Sequence, residues 1–213
     1  MTNFISIFPL QIVLYPGEAL NLHIFEPRYK QLIQECIAEE KPFGIPVARG
    51  TQPLEKGTLV RVTEVVKTYP DGQMDIRTKG EKVFEILTVV KEIPDKLYCG
   101  AVVSYPENVL EHAESRVGEL IFKEVERLYA LMQVEEKLPR KSDKLTSYDI
   151  GHLVGLSYEQ EYELLGIYDE TQRLEFLRRH LKEIAPVVSN LELLKERVKR
   201  NGHFRDLKWD GLF

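Results

Sequence analysis

The stretch that most constrains how this chain can fold is Phe8 to Tyr29, FPLQIVLYPGEALNLHIFEPRY. It compresses a strand-like run, a Pro16-Gly17 turn, an alternating segment and a helix start into about two dozen residues. Leu20, Leu22 and Ile24 fall on one side of an extended chain, with Asn21, His23 and Phe25 on the other. That is the two-residue period of a half-buried strand. Glu26 then precedes Pro27, which sits where a first helical position favours proline because the lost N–H has no helical partner there. Tyr29, Leu32, Ile33, Cys36 and Ile37 follow at helical spacing and give a helix over 27–39 one apolar face. Local signals thus start a fold whose strand pairings are long-range.

Downstream, the spacing predicts short strands over 4–8 and 11–15 around Pro9, the 20–25 strand, and another over Phe43–Ala48. Gly50 to Gly57 reads as a loop. From Thr58 the pattern is plainly β. TLVRVTEVVKTY leads through Pro70-Asp71-Gly72 into QMDIRTKG, and Asp-Gly between alternating runs is a strong hairpin signal. KVFEILTVV and LYCGAVVSY add β-branched runs on either side of Ile93-Pro94-Asp95. Several short strands with turns between them imply a small antiparallel sheet, closed or nearly so, with helix 27–39 covering one end.

At Pro106 the period changes. Ala113, Val117, Ile121, Val125, Leu128 and Met132 make a helical stripe. It predicts a helix over 107–137, about 45 Å long at 1.5 Å per residue, ended by Leu138-Pro139. Thr146 with Asp149, Ser157 with Gln160 and Asp169 with Gln172 have the spacing of capping boxes and mark three short helices. Gly166 is placed to stop the second, and Pro186 to stop the third. A last helix is predicted from Ser189, boxed by Glu192, to the Asn201-Gly202 pair. The expected architecture is α+β: a β-rich domain over 1–105 and an α-helical subdomain over 106–213.

The string FPLQIVLYPGEALNLHIFEPRYKQLI resembles the opening of the LON N-terminal domain, the substrate-recruiting domain of Lon-type ATP-dependent proteases. TLVRVTEVVKTYPDGQMDIRTKGEKVFEI is similar to the central LON sheet. IGHLVGLSYEQEYELLGIYDETQRLEFLRRHLKEI resembles the family's capped helices before an Arg-Leu-Glu turn. Together these cover about residues 4–186. The resemblance implies a PUA-like barrel or sheet with one short helix, then a helical part, and a module that binds exposed hydrophobic segments of unfolded or extended polypeptides. It also implies work beside a protease or chaperone system. Lon-type proteases carry ATPase and Ser-Lys peptidase domains as well; this sequence carries neither and reads as a stand-alone LON-domain protein.

Composition narrows the classes further. No apolar run approaches the roughly 20 residues of a membrane-spanning helix, and the start lacks a basic n-region and a small-residue cleavage site. Cys36 and Cys99 are the only cysteines and read as free thiols in a reducing compartment, which makes a bacterial-style cytoplasmic location the expectation. Net charge is −5, spread as −1 over 1–105, −8 over 106–177 and +4 over 178–213. Only the last segment is basic, so nucleic acid is not the favoured partner.

A search for chemistry finds no Walker A spacing, no GxSxG elbow and no clustered Cys or His ligands. No catalytic, cofactor or metal residue is assigned. Ser147, Asp149 and His152 are close in sequence, but a helix start explains them better than a catalytic arrangement, since such residues are usually brought together by the fold. Glu159, Glu161 and Glu163 read as a solvated helix face. The candidate peptide-binding residues are Phe8, Tyr15, Phe25, Arg28, Tyr29 and Tyr69, aromatics with one arginine, the composition of interface anchors. A competing reading makes Phe8, Phe25 and Tyr29 core residues with Arg28 paired to Glu26, and burial is preferred for Phe25 and Tyr29. Tyr15 and Tyr69, beside turn prolines, are expected to be exposed. Lys195, Arg197, Lys199, Arg200, Arg205 and Lys208 with Phe204 and Trp209 offer an RNA- or DNA-binding alternative, against a simpler docking onto the acidic 106–177 segment. The stripe Leu191, Leu194 and Val198 offers a scaffold or assembly role.

Overall fold

The computed structural model describes residues 2–110, 116–132 and 146–203, with side chains from 187 onward outside the description. Among these residues six strands and five helices follow in the order β1 (Thr2–Ser6), β2 (Ala19–Ile24), α1 (Pro27–Ala38), β3 (Phe43–Arg49), β4 (Gln52–Thr68), β5 (Met74–Val90), β6 (Gly100–Ser104), α2 (Arg116–Met132), α3 (Ser147–Gly151), α4 (Tyr158–Leu165) and α5 (Glu170–His203). The architecture is α+β. The strands pair antiparallel in the order β1-β6-β5-β4-β3, with β2 beside the first half of β5. Parallel bridges from Ile7 to Gly44 and from Leu10 to Val47 bring the chain after β1 against β3, so the sheet closes on itself. Closure removes two edges that would otherwise be open to unwanted pairing.

Three apolar clusters hold this together. Ile5, Ile7, Leu59, Phe84, Ala101 and Val103 form one within the barrel strands. Tyr29, Leu32, Ile33 and Cys36 of α1 pack into a second with Phe8, Phe43, Val60 and Ile76. The third joins the helices, through Ile121, Val125, Leu164, Leu174 and Leu177, to Val13, Tyr15, Val47 and Val83 of the barrel.

Several sequence expectations are corrected. The 50–57 segment is no loop: β4 begins at Gln52, pairs back on β3 with Arg49 opposite Gln52, and turns at Gly50, whose φ is +63°. Gly57 is there for space, since a Cβ would lie 2.4 Å from the Ile45 carbonyl oxygen. QMDIRTKG and KVFEILTVV form one strand, β5. Residues 11–15 form no strand: the chain bends at Gln11 and Ile12, and Val13 and Tyr15 enter one cluster while Leu14 enters another. The helix expected over 107–137 does not begin at Glu107. Glu107–Leu110 is extended, with the Val109 N–H donating to Tyr168 O (2.8 Å) and the Glu170 N–H to Val109 O (3.1 Å). Backbone capture by the start of α5 outweighs helical periodicity there. The 111–115 and 133–137 parts lie outside the described residues. Pro186 does not end its helix: α5 runs through it and through Asn201-Gly202 to His203, leaving no separate helix start at Ser189. Pro186 and Lys182 are both exposed, so the Lys182 carbonyl that proline cannot bond stands on the solvent side.

The caps behave as their chemistry predicts. Gln160 N–H donates to Ser157 Oγ (3.3 Å) while Ser157 N–H donates to Gln160 Oε1 (2.9 Å). Thr146 N–H donates to Asp149 Oδ2 (2.6 Å) and Gln172 N–H to Asp169 Oδ1 (2.9 Å).

Candidate functional site

The six candidate binding residues do not converge. Phe8 and Tyr29 are core, their rings stacked with centroids 3.8 Å apart. Arg28 lies over the Tyr29 ring at 4.5 Å and pairs with Glu26 at 2.8 Å. Tyr15, expected at the surface, is fully buried. Its hydroxyl donates to the Glu161 carbonyl (3.2 Å), and its ring stacks on Tyr148 and His152 at 5.0 and 4.6 Å. Burial, reinforced by nearby Glu161 and Glu18, pushes the phenol strongly upward, so it stays neutral. Pro16 beside it is half-buried and Gly17 exposed, while the tyrosine turns inward because α3 and α4 arrive to cover it.

Phe25 departs from its preferred reading in the other direction and is 58 % exposed. The alternation of β2 placed it outward with Asn21 and His23, and the register bears this out, with His23 opposite Asp75 and Asn21 opposite Arg77 of β5. His23 is the residue that sequence reasoning passed over. Its ring stacks on Phe25 at 6.0 Å and meets Tyr69 edge-on at 5.8 Å. Its Nδ1 lies 2.6 Å from Asp75 Oδ1, and the half-buried Tyr69 donates its hydroxyl to Asp75 Oδ2 at 2.8 Å. The hydrogen bond to Asp75 raises the His23 pKa and holds the carboxyl of Asp75 below its ordinary value. Lys67 Nζ stands over the Tyr69 ring at 4.3 Å. Beside them a shallow cavity of about 340 Å³ is lined by Asn21, Leu22, His23, Val66, Asp75, Ile76 and Arg77. Phe25, His23, Val66 and Tyr69 thus form an aromatic and aliphatic patch on the solvent side of the β2-β5-β4 sheet. Such a patch, polar at its rim, has the composition of a contact surface.

The Ser147, Asp149 and His152 cluster resolves into three separate jobs. Ser147 Oγ donates to Glu170 (2.6 Å), Asp149 caps α3, and His152 reaches Glu161 Oε1 (2.7 Å) and Glu18 Oε1 (3.2 Å). Glu161 therefore does more than line a solvated face. His152 ties the Pro16-Gly17 turn to α4. Burial pulls its pKa down, but hydrogen bonds donated by the ring to the Glu18 and Glu161 carboxylates overcome this and bring it up to about 9. A folded pKa above the unfolded 6.5 stabilises fully below pH 6.5 and is lost as pH rises through 9. Because the ring is a third exposed, solvent screening reduces the expected contribution to roughly 1 kcal/mol. The thermal midpoint should therefore fall between pH 6.5 and 9.5 by more in the wild type than in His152→Gln, measured by circular dichroism. Parallel curves would remove the ion pair from the stability of the seam.

Among the described residues no group of three His, Cys, Asp or Glu side chains could hold a metal ion, and no helix is long and apolar enough to cross a membrane.

The profile of the ATP-dependent protease La (LON) substrate-binding domain matches residues 5–183. The chain belongs to this family. The fold agrees. A Lon N-terminal domain protein from Xanthomonas campestris superposes with a TM-score of 0.63 at 25% identity, covering 83% of this chain and 98% of that one. The N-terminal domain of a Mycobacterium avium complex Lon protease gives a TM-score of 0.61 at 16% identity, over 84% of this chain and 98% of its own; that likeness shows the fold alone. A LON substrate-binding domain is a recognition module, and the exposed patch on β2-β5-β4 is its candidate contact surface in this chain.

Proposed function

We propose that this LON-domain chain is a non-catalytic, cytoplasmic module that holds exposed apolar segments of polypeptides, working beside a protease or chaperone system. The observation that supports it is the exposed Phe25, stacked on His23, whose ring also meets Tyr69, in a region where β2 alternation otherwise turns apolar side chains inward. An apolar ring held in solvent by its neighbours is preorganised for contact and gives up little entropy on binding. Affinity should be weak and broad, since an unfolded segment gives up ordering entropy for a few contacts.

The experiment is a titration of the protein into a labelled, permanently unfolded polypeptide and a labelled single-stranded RNA, at low and moderate salt. Saturable polypeptide binding should persist at moderate salt. Phe25→Ala with Tyr69→Ala should weaken it about tenfold, near 1.4 kcal/mol. Binding to RNA alone, lost with salt, would move function to the basic C-terminal segment. Whether that segment docks on the acidic helices lies outside the described side chains.

A further inference from the structure

β4 has different neighbours along its two edges. β3 covers one edge only as far as Val60, where Phe43 pairs. β5 pairs with the other edge on to Thr68. From Arg61 to Thr68, therefore, the β3-side edge has no strand partner among the described residues. Main-chain groups on an antiparallel strand alternate between the two neighbours, so half of those in this stretch have no ladder to join.

The C-terminal end of α1 stands beside this open edge. Between them lies a groove of about 330 Å³ with Cys36, Ile37, Glu40 and Lys41 on one wall and the five consecutive residues Arg61–Val65 on the other. Side chains of a strand point alternately to opposite faces and would contribute every second residue to one wall. Five in a row means that the groove runs along the main chain of β4. Arg61 fixes its near end by donating to the Glu40 carbonyl and pairing with Glu81, both at 2.7 Å. Ile37 and Val65 offer exposed apolar surface there, and Val66 does so on the opposite face of the sheet.

We propose that the open edge of β4, residues 61–68, takes an extended polypeptide segment as an added strand, with alternate side chains entering the groove against α1 and the intervening ones standing over Val66. This rests on the recognition reading above and names its site and ligand class. Unpartnered main-chain N–H and C=O groups are complementary to another main chain. The groove charges, Glu40 and Glu64 against Lys41 and Arg61, balance, so the segment it suits is near neutral. Eight residues of edge span about 26 Å, enough for a short segment with apolar side chains at every second position. A second copy of this chain fits poorly. Antiparallel pairing of two β4 edges centred on Glu64 would set Glu64 against Glu64 and Arg61 against Lys67, like charges directly opposite. Bulges between Val62 and Glu64 and between Val65 and Lys67 divide the edge into short stretches, which suits a short added segment and not a long regular pairing.

Fluorescence anisotropy on the full chain tests this, with a labelled eight-residue peptide of alternating valine and threonine beside the permanently unfolded polypeptide. N-methylation of alternate main-chain nitrogens separates the two hydrogen-bonding registers without altering side chains. Methylation of the set facing β4 should weaken binding roughly tenfold or more, and of the other set less than about twofold. Ile37→Glu, at an exposed position and with an unchanged thermal midpoint as control, should weaken both ligands. Equal effects of the two methylated peptides, or full binding to Ile37→Glu, overturn strand addition; continued capture of the unfolded polypeptide then leaves the recognition reading standing. Failure of the wild type to bind either ligand sinks both. A dimer that Ile37→Glu dissolves, seen by light scattering, would give the edge to a second copy instead.

Discussion

Replacing Arg173 with Met is expected to cost about 3–5 kcal/mol of unfolding free energy, a fall of roughly 10 °C or more in thermal midpoint. Arg173 and Glu170 are fully buried and pair at 2.8 Å. The guanidinium also donates to Ser147 Oγ (2.8 Å), Asn108 Oδ1 (2.8 Å), Ile167 O (2.6 Å) and Val109 O (2.9 Å), and it lies over the Tyr148 ring at 4.3 Å. One side chain thus fastens the 108–109 segment, α3, the turn before α5 and α5 itself. Met fills much of the volume but leaves the Glu170 carboxylate buried with, among the described residues, only the N–H and hydroxyl of Ser147. The uncompensated charge, more than the lost bonds, sets the size of the loss. The diagnostic is a double variant. Glu170→Gln with Arg173→Met should cost clearly less than the sum of the single changes, since the charge left alone by one is removed by the other. Additive losses in urea unfolding would show that the pair is not coupled.

Tyr15→Ala is expected to cost about 3–5 kcal/mol, while Phe25→Ala changes stability by no more than about 0.5 kcal/mol. The Tyr15 ring fills the space between the barrel and the helices, close enough to α3 that a Cβ on Gly151 would meet it at 2.7 Å. Removing the ring opens a cavity that a close-packed wall cannot collapse. Tyr15→Phe keeps the ring and gives up only the bond to Glu161 O, for about 1 kcal/mol. For polypeptide capture the order reverses: Phe25→Ala weakens it, and Tyr15→Phe leaves it unchanged. If Tyr15→Phe weakened capture and Phe25→Ala did not, the contact surface would belong at the seam between the barrel and the helices.

Much of the fold is legible in local chemistry. Pro27 and the Tyr29–Cys36 stripe mark α1, Asp71-Gly72 marks the β4–β5 hairpin, and three Ser, Thr or Asp caps mark the starts of α3, α4 and α5. The errors share one cause. Pro53 and Gly57 look like loop signals and yet sit inside β4, because β3 and Phe84 supply the pairing and the close contact that make them acceptable. The helix start expected at Glu107 loses to backbone bonds between Val109 and the start of α5.

The proposed contact surface was legible only in part. The two-residue period of β2 put His23 and Phe25 on the outer face, and there local pattern was a better guide than the tendency of large apolar side chains to be buried. Tyr15 lies beyond that kind of reading. Whether a side chain next to a turn meets water depends on what the rest of the chain later lays over it, and α3 and α4 begin more than 130 residues downstream. The same holds for the open edge of β4, which exists because β3 stops pairing at Val60 while β4 and β5 continue. Period, caps and turn residues act over a few positions and are written in the chain itself. Burial, charge pairing and free hydrogen-bonding edges are properties of distant segments in contact, and those settle only when the barrel has closed and the helices have packed against it.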